Sequence, residues 1–396
     1  MLQAKIKNGN SVALYQYSRE EIAWLRANEE FYCPICKGKL MIRAGVKTIA
    51  HFAHKRAVDC ISHEGGEGEY HEKGKLQIFR WLASQGIKAE MEVYFPVIKQ
   101  RTDILVTIGN KRIAMEYQCV RIPVQDILKR TNGYLQEGIQ PIWIIGGNHF
   151  NRLGRHQVKI NQFLLQFFHR FNQESLPIMY FFDPQTTFFI KAANIFPVNQ
   201  YKIYSNLKVK KLTEMNFLDL FTQNFMPQGE LMEVFRKAKY KFRMHHPQRT
   251  YGNERKWYSW LYSMGTHREF LPSIIFLPVA SQYQMNTAPW DWQSRICLEI
   301  IVPLEIGETF SWEECLSLLK YCINPNNPLM NGLSDPLLEY LHLLASLKII
   351  SITSNETFQK RQDIHFYSNV EDALVGDQKI LEEISEILSQ NTSMIR

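Results

Sequence analysis

Long apolar runs are missing from this 396-residue chain. No window of about 18 uncharged apolar residues occurs, so no bilayer-spanning helix is expected. The opening MLQAKIKNGN lacks the apolar stretch of an export signal, which makes the cytoplasm the default location. Cysteine is scarce and unevenly placed: Cys33, Cys36, Cys60 and Cys119 lie early, and Cys297, Cys315 and Cys322 lie late. That pattern excludes a disulfide framework and implies reduced thiols. Internal repeats and low-complexity tracts are also lacking. What is present, a 45% hydrophobic content, belongs to a globular protein of two or three domains. The formal net charge of +7 suits a polyanionic partner without selecting one.

The pattern divides the chain into 1–64, 65–150 and 151–396. In the first part, SREEIAWLRANE reads as a helix capped by Ser18 with Glu21 three residues on. The glycine-rich EGGEGEY marks the first boundary. After it, YHEKGKLQIFRWLASQG spaces Leu76, Phe79 and Leu82 at helical intervals and places Gly86 at the C-cap. KAEMEVYFPV, RTDILVTIG and KRIAMEYQCV read as strands, the last two joined by the turn GNKR. PVQDILKRTNGYLQEG has proline near its start and glycine at its end, as a helix does, and QPIWIIGG is a short buried strand. The order is αβββαβ. Aromatic-rich segments from 150 to 230 read as alternating helices and hairpins, and the remainder as mainly helical.

The strand IAMEYQCV carries a charge, Glu116, in an otherwise apolar run. Alternation sends Glu116 and Gln118 to one face. If the adjoining strands form a hairpin, Asp103 and Glu116 converge, and two close carboxylates repel unless a cation joins them. Mg²⁺ fits such oxygen ligands together with a substrate phosphate, and a bound ion activates water for phosphodiester hydrolysis. His71 and Lys75, four apart on a helical face, can orient a nucleophile or offset phosphate charge. Glu90 and Glu92 are further, weaker ligand candidates. The ordinary alternative is a solvent-facing pair of acids partnered by Arg101 or Lys111.

Cys33-x2-Cys36 followed by His51-x2-His54, with Cys60 and His63 further on, offers thiolate and imidazole ligands suited to a structural Zn²⁺. Histidines three apart on a strand point to opposite faces, so one histidine with Cys60 would complete the site. A reduced, metal-free cluster packed under the next domain is the competing reading. A thioredoxin-like role lacks its βαβ context.

Between 236 and 256, cations alternate with rings, the composition of a single-strand binding surface; Arg236, Lys237, Lys239, Lys241 and Arg243 are its candidate contacts. A solvated basic helix has the same composition. Trp290, Trp292 and Gln293 in WDWQ, and His169 in FFHRF, read as core.

The combination of HEKGK on a helix, RTD and MEYQ on strands and RTNGY on the next helix resembles the competence protein CoiA family, whose central domain belongs to the PD-(D/E)xK nuclease superfamily; CPIC…HFAH and WDWQ extend the resemblance along the chain. The resemblance implies a restriction-endonuclease-like αβββαβ core in which Asp103 and Glu116 hold Mg²⁺ or Mn²⁺. It makes His71 and Lys75 helix-borne catalytic residues and gives Gln118 the place of the usual lysine. Arg130 and Tyr134 would line the DNA groove. It further implies action on DNA, single-stranded or in recombination intermediates, during natural transformation, together with other competence or recombination proteins. An amide supplies neither proton nor positive charge. Two alternatives therefore stay open: a non-cutting DNA-binding or recombination-accessory factor, and an interaction scaffold in a competence complex.

Overall fold

The computed structural model describes residues 1–45, 49–55, 60, 68–172, 175–222, 228–245, 249–323, 328–330, 335–354 and 356–393. His63 and most of the glycine-rich boundary lie outside them.

Ser18 caps the first helix, α1 (Arg19–Asn28): its hydroxyl accepts from Glu21 N, and the Glu21 carboxylate accepts from Ser18 N at 2.7 Å. Five strands accompany it: β1 (Gln3–Ile6), β2 (Ser11–Ala13), β3 (Phe31–Tyr32), β4 (Lys39–Arg43) and β5 (His51–His54), in the order β2-β1-β3-β4-β5. Val12, Leu25, Phe31, Leu40 and Phe52 fill the core of this small module.

The next segment supplies α2 (Glu69–Ser84) and β6 (Lys88–Met91), then a short hairpin of β7 (Tyr94–Phe95) and β8 (Gln100–Arg101). β9 (Ile104–Ile108), β10 (Lys111–Gln118), α3 (Val124–Gln136) and β11 (Ile139–Gly146) follow. The helix–three strands–helix–strand order read from the sequence is present, with the β7–β8 hairpin added. Gly86 ends α2 at φ +69°, and Gly109 at φ +57° opens the two-residue turn that pairs Ile108 with Lys111. β10 and β11 run parallel.

The sheet continues beyond residue 150. β12 (Gln157–Lys159), the short α4 (Gln162–Leu165), β13 (Met179–Phe182), β14 (Phe188–Asn199) and β15 (Lys202–Lys211) complete an eight-stranded sheet ordered β12-β15-β14-β13-β11-β10-β9-β6. The break read at 150 thus falls inside one sheet. MYFF is buried at every position and the centre of β14 nearly so, because both sheet faces are covered there.

The remainder is mainly helical: α5 (Gln228–Met244), α6 (Gly252–Ser263), α7 (Pro289–Arg295), α8 (Trp312–Leu319), α9 (Pro336–Ser346) and α10 (Val370–Ser393). Beside them lies a small sheet of β16 (Thr309–Ser311), β17 (Ile350–Ser354) and β18 (Thr357–Lys360). Among the described residues no helix is long and apolar enough to cross a membrane.

Alternation along β9 and β10 sorts their side chains between two helices. Ile104, Val106, Ile113, Met115 and Tyr117 pack with Ile78, Trp81 and Leu82 of α2, whereas Leu105 and Ala114 meet Tyr134 of α3. Gly74 permits the close approach of α2: a Cβ there would lie 2.1 Å from the Tyr117 ring.

Candidate active site and metal centre

Glu116 is buried, and its charge is met from α3. One carboxylate oxygen accepts from the Arg130 guanidinium, the other from the Tyr134 hydroxyl at 2.6 Å. These partners come from positions four apart on one helical face. The guanidinium is fixed further by the Arg101 carbonyl (3.2 Å) and lies over the Trp143 ring. Tyr134 has no exposed surface, and burial, then the Glu116 charge, pushes its pKa well above the usual phenol value. Arg130 and Tyr134 therefore hold Glu116 from inside, and Tyr134 is shut off from anything in solution, in contrast to the groove-lining role read for the pair. Gln118, also buried, donates to the Val120 carbonyl at 2.6 Å.

Asp103 lies in the bend that leads into β9, beyond the last ladder pair, Ile104 with Met115. Its Oδ2 accepts from the Tyr117 backbone N–H at 2.9 Å, so the side chain takes over the acceptor role a strand carbonyl would have played. This fixes Asp103 beside the Glu116–Tyr117 peptide. Its other oxygen faces α2: His71 Nε2 is 3.4 Å away and Lys75 Nζ 4.0 Å. Both acids are buried, so the solvent-facing arrangement does not apply. They adjoin through neighbouring strands, yet take their cationic partners from different helices.

Lys75 is fully buried, with closer partners than Asp103: Glu92 at 2.7 Å and Glu72 at 3.2 Å. Glu72 in turn meets the Met1 ammonium at 2.5 Å. Glu92 also accepts from the backbone N–H groups of Leu2 (2.9 Å) and Gln3 (3.0 Å), and holds a left-handed φ of +54° rare for a non-glycine residue. The amino-terminal strand of the small module is thereby clasped to the helix that carries His71 and Lys75. Glu90, on β6, is exposed. Sequence reasoning missed Glu72 and the Leu2 and Gln3 amides; the available signal was the Glu72–Lys75 spacing. Asp103 and Glu116 are oxygen-only donors of the kind that a hard Mg²⁺ or Mn²⁺ ion takes, but both Glu116 oxygens and one Asp103 oxygen already accept from protein groups.

The Cys/His centre is better defined. Cys33, Cys36, His54 and Cys60 bring one ligand atom each to within 4.8 Å of one another. Cys33 and Cys60 sulfurs are 3.8 Å apart, and Cys36 Sγ is 3.3 Å from His54 Nε2. A tetrahedron with Zn–S bonds of about 2.3 Å has S···S edges of about 3.8 Å, whereas a disulfide needs about 2.05 Å. The cluster could therefore bind a structural metal such as zinc. Its CPIC loop is tight: Cys33 N bonds Gly38 O, Lys37 takes φ +59°, and Gly38 N donates to Cys36 Sγ. Burial, followed by the neighbouring thiols, pushes the Cys36 thiol up to about 11, and a coordinated cation would reverse that. His51 is not part of the cluster. Its Nδ1 lies 3.0 Å from the Ile49 carbonyl, because residues three apart on β5 leave opposite faces; Cys60 takes the fourth place.

The basic stretch needs a correction. On α5, Arg236, Lys237 and Lys241 are exposed, but Lys239 and Arg243 are buried and paired with Asp377 of α10 at 3.2 and 2.5 Å. Positions 239 and 243 share the inner helical face, so these two cations hold helices together and cannot meet a phosphate. Trp292 and Gln293 are fully buried; the indole donates to Gln282, and Gln293 brackets the backbone of Leu277. His169 is likewise core.

Comparison with known proteins follows the same three parts. The nuclease-like domain of competence protein CoiA matches residues 67–225, its C-terminal domain 231–374 and its N-terminal domain 14–63. The class is thus an α/β nuclease-like protein with a small Cys/His module and a helical C-terminal part. Competence protein CoiA of Bacillus subtilis (strain 168) is 30% identical over 270 residues, 68% of this chain and 71% of that protein. The chain belongs to the CoiA family. No solved structure matches it.

Proposed function

We propose that this protein acts on DNA in natural transformation, and that its central domain is a PD-(D/E)xK-type nuclease that hydrolyses phosphodiesters with Mg²⁺ or Mn²⁺. The observation that carries the reading is the meeting of Asp103, His71 and Lys75 beside the Glu116–Tyr117 peptide. Asp103 and Glu116 are the residues that would hold the ion, which supplies an activated water and neutralises charge on the phosphate. His71, in the first turn of α2, orients Asp103 and can take or give a proton at Nε2. Lys75 compensates the negative charge of Glu92, Glu72 and Asp103, and so stands in part where Gln118 cannot.

One observation favours a second reading, a DNA-binding accessory factor that does not cut: the Glu116 carboxylate is already engaged by Arg130 and Tyr134. One assay separates the two. Labelled linear, single-stranded and branched DNA is incubated with the protein and Mn²⁺, next to Asp103→Ala and Glu116→Ala. A nuclease cuts, and loses cutting but not DNA affinity in either variant. Retention of full cleavage by Glu116→Ala would refute the assigned site; salt-sensitive binding without cleavage by the wild type would establish the accessory role.

A further inference from the structure

Strand β14 repeats the anomaly of β10. In FFIKAANIF the single charge is Lys191, and the strand around it is core. The side chain is 2% exposed. Its ammonium donates to the carbonyls of Asp219 (2.5 Å) and Thr222 and lies 3.3 Å from the Thr222 hydroxyl, and these acceptors carry no charge. Directly across the ladder stands another cation: Lys191 pairs with Lys208 of β15, and paired residues project to the same face. Lys210, two residues on, shares that face. Like charges set opposite each other destabilise a sheet unless an anion joins them.

Lys191, Lys208 and Lys210 line one cavity of about 30 Å³ together with Met215, Asp219 and Thr222. That is room for about two waters, or for the oxygens of one anion whose remainder projects outward. Three ammonium groups face a single carboxylate there, and the Asp219 carboxylate is turned to the Asn216 N–H, from which it accepts at 3.1 Å. Burial, then Lys208, pushes the Lys191 pKa down to about 8, against the opposing pull of Asp219. Lys208 is half-buried and Lys210 exposed, so both can reach a ligand at the mouth while Lys191 adds charge from below.

The ladder fixes where this cluster lies. Tyr117, Ile144, Tyr180, Lys191 and Lys208 are successive partners across β10, β11, β13, β14 and β15, and the row shares the face that α2 covers. At its β10 end the Tyr117 N–H donates to Asp103, with His71 and Lys75 on the same face. At about 4.8 Å per strand, Lys191 lies about 14 Å and Lys208 about 19 Å along the sheet from Tyr117. That is the length of about four to six nucleotides of B-form strand, at about 3.4 Å each. From this placement we infer that the Lys191–Lys208–Lys210 pocket is a phosphate subsite, which holds the DNA backbone a few nucleotides from the candidate active site. The inference rests on the reading that DNA is the ligand of this chain, but not on cleavage.

The test measures DNA affinity against salt concentration by fluorescence anisotropy, in chelator so that hydrolysis plays no part. Lys191 also ties down the chain at Asp219 and Thr222, so the informative variant is Lys208→Ala/Lys210→Ala, whose side chains reach the surface. Removing one phosphate contact should flatten the plot of log K against log salt by about 0.7–0.9 and weaken binding roughly 5- to 8-fold at about 0.1 M salt. Lys320→Ala/Lys379→Ala, which deletes the same charge from exposed positions of the C-terminal part, should leave the slope unchanged. An unchanged slope in Lys208→Ala/Lys210→Ala, or equal flattening by both double variants, would overturn the assignment. Thermal melts in inorganic phosphate, against chloride of equal ionic strength, separate the backbone from a free anion: a phosphate-specific rise in Tm that Lys208→Ala/Lys210→Ala abolishes without touching the DNA slope would overturn the DNA occupant in favour of free phosphate. Wild type that binds no DNA would refute the DNA reading itself and this inference with it. A flattened slope without any Mn²⁺-dependent cleavage by the wild type would refute the nuclease reading while supporting this one.

Discussion

A single charged residue shows how burial changes the meaning of a sequence. Glu116 sits in a strand whose neighbours on both sides are core, and its charge is met by Arg130 and Tyr134. Removing one partner of a buried ion pair leaves the other uncompensated, so Arg130→Ala should lower the unfolding free energy by about 3–5 kcal/mol, read from urea denaturation. A loss below about 1 kcal/mol would mean that Glu116 is well hydrated. His169 makes a second case. Desolvation pushes its pKa down to about 4, and its Nε2 accepts from the Trp143 N–H, so the folded ring is neutral. Unfolding then takes up a proton below the ordinary histidine value. Stability is full above about pH 6.5 and should decline by roughly 1.4 kcal/mol per unit as pH falls toward 4. His169→Gln, which keeps an acceptor, should remove one proton from that dependence; an unchanged slope between pH 6.5 and 4 would place the uptake elsewhere.

Elements are where the sequence was most and least legible. The α2 helix, the β9–β10 hairpin and the α3 helix declare themselves through period, capping glycines and a two-residue turn, all local signals. Strands β13 and β14 do not, because a doubly covered strand has no alternation and its apolar run is ambiguous with a buried helix. The site followed the same rule. Asp103, His71 and Lys75 were readable from spacing, whereas the clasp of Glu92 by Leu2 and Gln3 spans about ninety residues and leaves no local pattern. Two expectations belong to this scale. Gly74→Ala would drive a methyl to 2.1 Å from the Tyr117 ring, so α2 must shift; a stability loss of about 1–3 kcal/mol is expected, with reduced cleavage if the nuclease reading holds. On α5, Arg243→Ala should destabilise by about 1.5–3 kcal/mol, because Asp377 keeps Lys239 but loses two charge-assisted hydrogen bonds, whereas Lys241→Ala should leave stability unchanged. Thermal melts of the two variants distinguish the inner face from the outer; equal effects would mean the helix is rotated from the orientation described.

Across the whole molecule, the Cys/His centre and the acid network are joined by a short path of backbone. His54, a member of the cluster, ends β5; Phe52 on the same strand donates to the Met1 carbonyl at 2.8 Å; and Leu2 N donates to Glu92, the partner of Lys75. A structural metal held by this cluster would add to the folding free energy of a module with so modest a core. Zinc analysis of the purified protein should give about one ion per chain; His51→Ala should retain it, and Cys60→Ala should lose it. Stripping the metal should then increase amide exchange first in residues 1–60 and next at the start of α2, where Glu72 and Lys75 lose their order, while β10, β11 and β13 stay protected as the interior of the large sheet. The comparison can be made without any activity measurement, by hydrogen exchange of wild type and Cys60→Ala side by side. Loosening confined to the module, with α2 unchanged, would show that the Glu92 clasp transmits nothing. Loosening that reached α2 would explain why the backbone amides of Leu2 and Gln3 are committed to a glutamate of the next domain: they set the position of Lys75 and, through it, of Asp103.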